Sequence, residues 1–181
     1  MKLKFFILVL ALQGAWLLGI VAVQEHALAT GKVIMLETRP VDPNDPLRGD
    51  YLVLNYKISD VPVNLFSPPV KQDASMGDVV YVALEPRGEF YEVAKASTNR
   101  FDPSADQILL KGKSSWRRWK SSTNAIHIEY GIENFYVAED TGHPHGKLTA
   151  QVVVPSSGHA SLKEVFVNGK TYAAAMKNSG D

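Results

Sequence analysis

The sequence predicts a mainly β protein: an N-terminal transmembrane helix followed by an antiparallel β-barrel- or sandwich-like domain with one short helix. Three observations carry this expectation. Residues 5–23, FFILVLALQGAWLLGIVAV, contain no charged side chain. Beyond residue 30, segments rich in β-branched and aromatic residues recur every ten to twenty or so positions, separated by turn signals. Near the C-terminus, Asn168-Gly169 sits between Phe166-Val167 and Lys170-Thr171-Tyr172, and this dipeptide is the strongest short signal for a two-residue hairpin.

The apolar run of residues 5–23 spans roughly 28 Å as a helix, at about 1.5 Å per residue, against about 30 Å of bilayer hydrocarbon. Lys2 and Lys4 precede it and Glu25 follows it. The positive-inside bias then places the N-terminus in the cytoplasm and the rest of the chain outside a cytoplasmic (inner) membrane. Ala27-Leu28-Ala29 offers a small-x-small cleavage site before Thr30. The run exceeds the roughly 7–15 apolar residues of a cleaved leader, so retention as an anchor in the lipid bilayer is expected. Gln13 is then a lone amide in the membrane, able to bond a neighbouring helix or its own backbone. The resulting organisation is an anchor over residues 1–30, an extracytoplasmic β-rich domain over 31–175 and a flexible tail over 176–181.

The strands follow in order. Lys32–Arg39 (KVIMLETR) is the first. In Tyr51–Ile58 (YLVLNYKI), Leu52, Leu54, Tyr56 and Ile58 share one face by period two. Pro62–Ser75 holds three prolines and no periodicity, which predicts a loop. Asp78–Glu85 and Phe90–Ala96 flank the turn signal Pro86-Arg87-Gly88 and predict a hairpin. Gln107–Lys111, Ala125–Tyr130, Leu148–Pro155 and Leu162–Val167 continue the series. Ile132–Glu139 (IENFYVAE), between Gly131 and Asp140-Thr141-Gly142, is the place for the short helix, since two glutamates flank two aromatics.

Composition narrows the function classes. The chain has 181 residues, 45% hydrophobic and 21% charged, suited to one packed domain beyond the helix. Formal net charge is zero, so no nucleic-acid partner is expected; the basic run Trp116–Lys120 reads as an exposed loop. There is no cysteine, which excludes disulfides, thiolate catalysis and zinc–thiolate sites.

The stretch DPNDPLRGDYLVLNY, residues 42–56, is the main candidate for function. Pro40, Pro43 and Pro46 restrict their own φ and bias the preceding residues to extended geometry. A stiff segment presents Asp42, Asp45 and Asp50 as carboxylates and Arg48 as a fork of donors at low ordering cost. Each also has a structural reading: the aspartates as turn caps or strand-entry acceptors, and Arg48 as their ion-pair partner. Gly49 permits the tight entry to the strand.

Gly49-Asp50-Tyr51-Leu52-Val53-Leu54-Asn55-Tyr56 matches at every fixed position the pattern that names the GDYXXLXY protein family. Arg39-Pro40-Val41-Asp42-Pro43 with Arg48 resembles that family's lead-in to the motif. The apolar helix with Gln13, then Glu25, Leu28 and Gly31, is also similar. So are Tyr130-Gly131-Ile132-Glu133 through Tyr136 and Glu139, and the late Asn168-Gly169. The resemblance implies a bacterial, membrane-anchored protein without an established activity. Members tend to be encoded beside polytopic membrane proteins, which suggests such a partner, with Gln13 as a contact within the membrane. The family supplies no catalytic residue.

The candidate binding residues are therefore Asp42, Asp45, Arg48, Gly49, Asp50, Tyr51, Tyr56, Glu133, Tyr136 and Glu139. Two functions compete: an accessory or binding protein docking on a membrane partner through the motif loop, and an envelope carbohydrate-binding module or hydrolase. The second needs carboxylates from both segments held together in different environments, with tyrosines for sugar stacking. It stands or falls on whether the segments around 42–56 and 130–139 meet. No metal or cofactor is expected: His143-Pro144-His145 pairs two imidazoles but lacks a third ligand, and Arg48 opposes a cation at the aspartates. Ser75-Met76 with Lys95 or Lys111 lacks the order and context of a serine–lysine peptidase. No phosphate-cradling glycine loop or nucleophile elbow occurs.

Overall fold

The structure is a computed structural model that describes residues 2–39, 51–69, 77–115, 124–137 and 146–177. It begins with α1 (Lys2–Thr30), a helix apolar on all sides because no polar stripe interrupts residues 5–23. Leu3–Thr30 is long and apolar enough to cross a membrane, and its apolar core is not buried against the rest of the chain. One residue, Gly31, joins it to β1 (Lys32–Glu37). A Cβ on Gly31 would come within 2.5 Å of the Val153 side chain, 3.1 Å of the Ala27 carbonyl oxygen and 3.2 Å of the Pro155 nitrogen. Glycine is thus what lets the helix end press directly on the strand layer.

The remaining strands are β2 (Tyr51–Val53), β3 (Asp60–Pro62), β4 (Val79–Arg87), β5 (Phe90–Ser97), β6 (Ile108–Ser114), β7 (Ala125–Glu129), β8 (Asn134–Tyr136), β9 (Leu148–Val154), β10 (Ser161–Val167) and β11 (Lys170–Thr171). A short helix, α2 (Tyr172–Lys177), follows. The strands pair antiparallel in the orders β1-β9-β10-β11, β2-β8 and β3-β7-β6-β4-β5. An isolated parallel bridge between Phe66 and Ala96 brings the outer strands of the five-stranded sheet toward each other. The result is a nearly closed, barrel-like sheet, which leaves few edge groups exposed. Thr38 bridges Tyr56, tying the end of β1 to the segment after β2.

One core fills this arrangement. It draws Ile34 and Leu36 from β1, Val82 and Leu84 from β4, Leu110 from β6, and Ala150 and Val152 from β9. Leu52, Leu54, Tyr56 and Ile58 are all buried as expected, but the strand expected over Tyr51–Ile58 ends at Val53, and Ile58 lies in a 3-10 turn over Lys57–Ser59. The β10–β11 hairpin turns on Asn168 (φ 50°) and Gly169 (φ 80°), the left-handed pair that a type I′ turn needs.

Three local expectations are corrected. Ile132–Glu139 is not the site of the short helix: Asn134–Tyr136 forms strand β8, and the helix is Tyr172–Lys177. Phe135 points inward while Asn134 and Tyr136 are exposed, a period of two satisfied by pairing with β2. Within the expected loop Pro62–Ser75, Pro62 ends β3 and Val63–Leu65 forms a 3-10 turn. Met176 and Lys177, read as the start of the tail, close α2.

Candidate functional site

The motif strand and the second segment meet. β2 and β8 pair in register Tyr51↔Tyr136, Leu52↔Phe135 and Val53↔Asn134. The Leu54 amide continues the contact by donating to the Glu133 carbonyl oxygen at 2.6 Å. Alternation then sorts the ribbon's two faces. Leu52 is buried, and Phe135 lies edge-on to Tyr172 with ring centroids 5.2 Å apart. On the outer face the Tyr51 and Tyr136 rings lie 6.1 Å apart at 55°. Tyr136 is 75% exposed and Val53 41% exposed, so the ribbon offers solvent an aromatic and aliphatic surface.

Tyr56 does not join that surface. It is buried, and its hydroxyl donates to the Ile132 carbonyl oxygen at 2.8 Å. Tyr130 mirrors it, donating to the Ile58 carbonyl oxygen at 2.8 Å. Burial first, then the nearby Glu133 charge, pushes both phenols above their ordinary pKa. Both are therefore neutral donors.

Glu133 is engaged by backbone. Its two carboxylate oxygens accept from the Tyr130 amide at 2.6 Å and the Gly131 amide at 2.9 Å. Charge-assisted bonds of this kind hold the turn that delivers β8 to β2. Gly131 adopts φ 83° in the turn, a conformation that glycine takes without a Cβ penalty. Gln13 lies on α1 between Leu12 and Gly14, exposed like the helix around it. Asp42, Asp45, Arg48, Gly49, Asp50 and Glu139 lie outside the described residues.

Two ion-pair groups flank the point where the motif segment leaves β1, and sequence reading missed both. In the first, Asp60 on β3 accepts from Arg39 through one oxygen and contacts His127 Nδ1 at 2.6 Å through the other. Asp60 and His127 are cross-strand partners in the β3–β7 register. Burial pushes the Asp60 carboxyl up, but the bonds from His127 and Arg39 outweigh it and hold the group below its ordinary range. In the second, Glu37 accepts from Lys147 at 2.7 Å and Lys57 at 2.6 Å, one lysine on each oxygen. Hydrogen bonds from Lys147 and then Lys57 hold its carboxyl below the ordinary value. Lys147 also lies over the Phe90 ring, 4.8 Å from its centroid. No local signal marks these groups, because partners such as Asp60 and His127 are brought together only by strand pairing.

Among the described residues, no group of three or more His, Asp or Glu side chains is placed to hold a metal ion. The Tyr51–Tyr136 pair follows the motif segment in the chain, and Glu37 and Arg39 of the two ion-pair groups precede it. The Arg39 amide donates to the Asn55 carbonyl oxygen at 2.7 Å.

No curated protein and no solved structure matches the chain. The family model described as GDYXXLXY protein matches residues 13–165, from within α1 to within β10. That match covers more than half of the chain and includes the motif strand, the β8 segment that pairs with it and both ion-pair groups, so this protein belongs to the GDYXXLXY protein family.

Proposed function

We propose that the protein is a membrane-anchored extracytoplasmic accessory or binding protein of a bacterial envelope. It works beside a polytopic membrane protein, and the Asp42–Tyr56 segment supplies the recognition surface. One observation carries this reading: half-buried Tyr51 and exposed Tyr136, from two segments far apart in sequence, form an aromatic pair on a ribbon whose other face is core. An aromatic and aliphatic patch beside a proline-rich, charged segment of the sequence suits a protein contact. The α1 helix supports the anchor, with the N-terminus in the cytoplasm and Gln13 contacting the partner within the bilayer.

The test is detergent pull-down of the tagged full chain from its native membranes. Tyr136→Ala should reduce recovery of a polytopic partner, as should Arg48→Ala and Asp50→Ala, with far-UV circular dichroism unchanged. Undiminished recovery by all three variants refutes the contact. Sequencing the mature N-terminus checks the anchor: a chain starting at Thr30 shows cleavage instead.

The alternative, a carbohydrate-binding module or hydrolase, gains the same tyrosine pair as a stacking surface. It is weakened at Glu133, whose oxygens already serve two backbone amides. Retention of the chain on envelope polysaccharide, lost in Tyr51→Ala, would favour this reading over docking.

A further inference from the structure

The helix enters the β domain without slack, since Gly31 alone separates Thr30 from Lys32. Residues 24–31 carry the chain roughly 12 Å past the apolar run, at about 1.5 Å per helical residue. A headgroup layer is roughly 5–8 Å thick on each side of the hydrocarbon. With α1 as a membrane anchor, the reading on which this rests, whatever surrounds Gly31 is held within a long side chain's reach of lipid phosphates.

A clamped turn and three cations surround Gly31. Pro155 abuts it: a Cβ on Gly31 would lie 3.2 Å from the Pro155 nitrogen. The Gly158 amide closes the turn Pro155–Gly158 by donating to the Pro155 carbonyl oxygen at 2.9 Å. Gly158 (φ 83°) presses on β6, where a Cβ would lie 3.1 Å from the Leu109 carbonyl oxygen. The Lys111 amide donates to the Gly158 carbonyl oxygen at 2.8 Å, and Lys111 Nζ lies 3.4 Å from His159 Nε2. Arg100 donates through Nη2 to the Ser156 carbonyl oxygen at 3.2 Å. Lys32 pairs in register with Val154, beside the turn. Lys32 and Arg100 are exposed and Lys111 is half-buried.

None of these three cations forms an ion pair among the described residues. The carboxylates nearest along the chain are Glu25, Asp102 and Glu164, and Glu164 accepts from the Val165 amide at 3.3 Å. Asp78 and Lys113, at the adjoining ends of β4 and β6, offset each other. The links into β4 and out of β6, residues 70–76 and 116–123, lie outside the described residues. In sequence they hold Lys71, Arg117, Arg118 and Lys120 against Asp73, so their charge does not cancel the cations.

We propose that the turn Pro155–Gly158, with Lys32, Arg100 and Lys111, is a membrane-facing surface that seats the β domain on phosphate-bearing lipid headgroups. Such a surface needs no cavity and no shared ligand, because a bilayer offers each cation its own phosphate. Arg100 spends one donor on Ser156 and keeps others for a phosphate. Basic groups this close to a membrane gain from its anionic lipids. A single helix can turn about its axis in the bilayer; contacts beside its end hold the domain in one orientation.

The test uses the full chain in nanodiscs containing phosphatidylglycerol and a lipid with a nitroxide quencher on its headgroup. The chain has no cysteine, so Ser156→Cys accepts a single fluorophore. Lys170→Cys is the distant position: it lies in the β10–β11 hairpin, where Val167 pairs with Leu148 at the start of β9, whereas Ser156 follows the end of β9. Quenching is expected to be stronger at position 156 than at 170. Lys32→Gln, Arg100→Gln and Lys111→Gln together should lose much of the quenching at 156. Arg100→Gln alone, at an exposed side chain, should lose part of it, which covers a triple variant that misfolds. Lys170→Gln with Lys177→Gln, two exposed lysines elsewhere, should change nothing at 156. A chain that fails to co-elute with the discs refutes the anchor and this surface together. Co-elution with equal quenching at 156 and 170, or with quenching at 156 undiminished in the charge variants, overturns the surface alone.

Discussion

The Tyr56 hydroxyl donates to the Ile132 carbonyl oxygen at 2.8 Å, and the Tyr130 hydroxyl returns the bond to Ile58 at the same length. Each of the two segments thus contributes one buried phenol to the other's backbone. Removing either hydroxyl leaves a buried carbonyl without that donor, a loss of about 1–2 kcal/mol. Tyr56→Phe should lower the melting temperature by several degrees, on the scale of roughly 2–4 °C per kcal/mol for a chain of this size. An unchanged melt would show that the bond contributes nothing net.

Glu133 holds two amides with one carboxylate. Glutamine keeps a single acceptor oxygen, and its amide nitrogen cannot accept from a second N–H. Glu133→Gln should therefore destabilise by about 1–3 kcal/mol in denaturant unfolding. Hydrogen exchange at the Tyr130 and Gly131 amides should quicken in the same variant. Equal exchange in both proteins would place the turn's stability elsewhere.

Asp60 links stability to pH. Its carboxyl is held below the ordinary value of 3.8, because the bonds from His127 and Arg39 outweigh burial. A carboxyl depressed in the folded state contributes fully above its unfolded pKa and loses that contribution as pH falls through the folded value. The stability difference between the wild type and Asp60→Asn should thus be constant near neutral pH and shrink below about pH 4. A difference that stays flat down to pH 2 would rule out this linkage.

Tyr172 is the opposite case to Tyr56. Its hydroxyl is buried and finds no hydrogen-bond partner among the described residues, and burial pushes its pKa up. An unpaired buried hydroxyl carries a desolvation penalty of about 1–3 kcal/mol. Tyr172→Phe keeps the edge contact with Phe135 and should leave stability unchanged or raise it. A clear drop in melting temperature would reveal a partner for the hydroxyl.

The sequence by itself determined the features that depend on neighbours along the chain. An uninterrupted apolar run makes α1 greasy on every side, whatever follows it. The apolar spacing of Leu52, Leu54, Tyr56 and Ile58 marked them as core, although the strand itself ends at Val53, and Asn168-Gly169 alone settled a hairpin. The motif octapeptide pointed to the family before any coordinates did. Tertiary structure decided what local pattern leaves open. Asn134–Tyr136 is too short for a helical or strand period to declare itself, and pairing with Tyr51–Val53 made it a strand. The same pairing turned Phe135 inward and left Tyr136 exposed. The ion pairs of Glu37 and Asp60 were invisible in sequence for one physical reason. Hydrogen bonds and charge pairs depend on distances of a few ångströms, and for residues far apart along the chain those distances are set by strand register in the closed sheet.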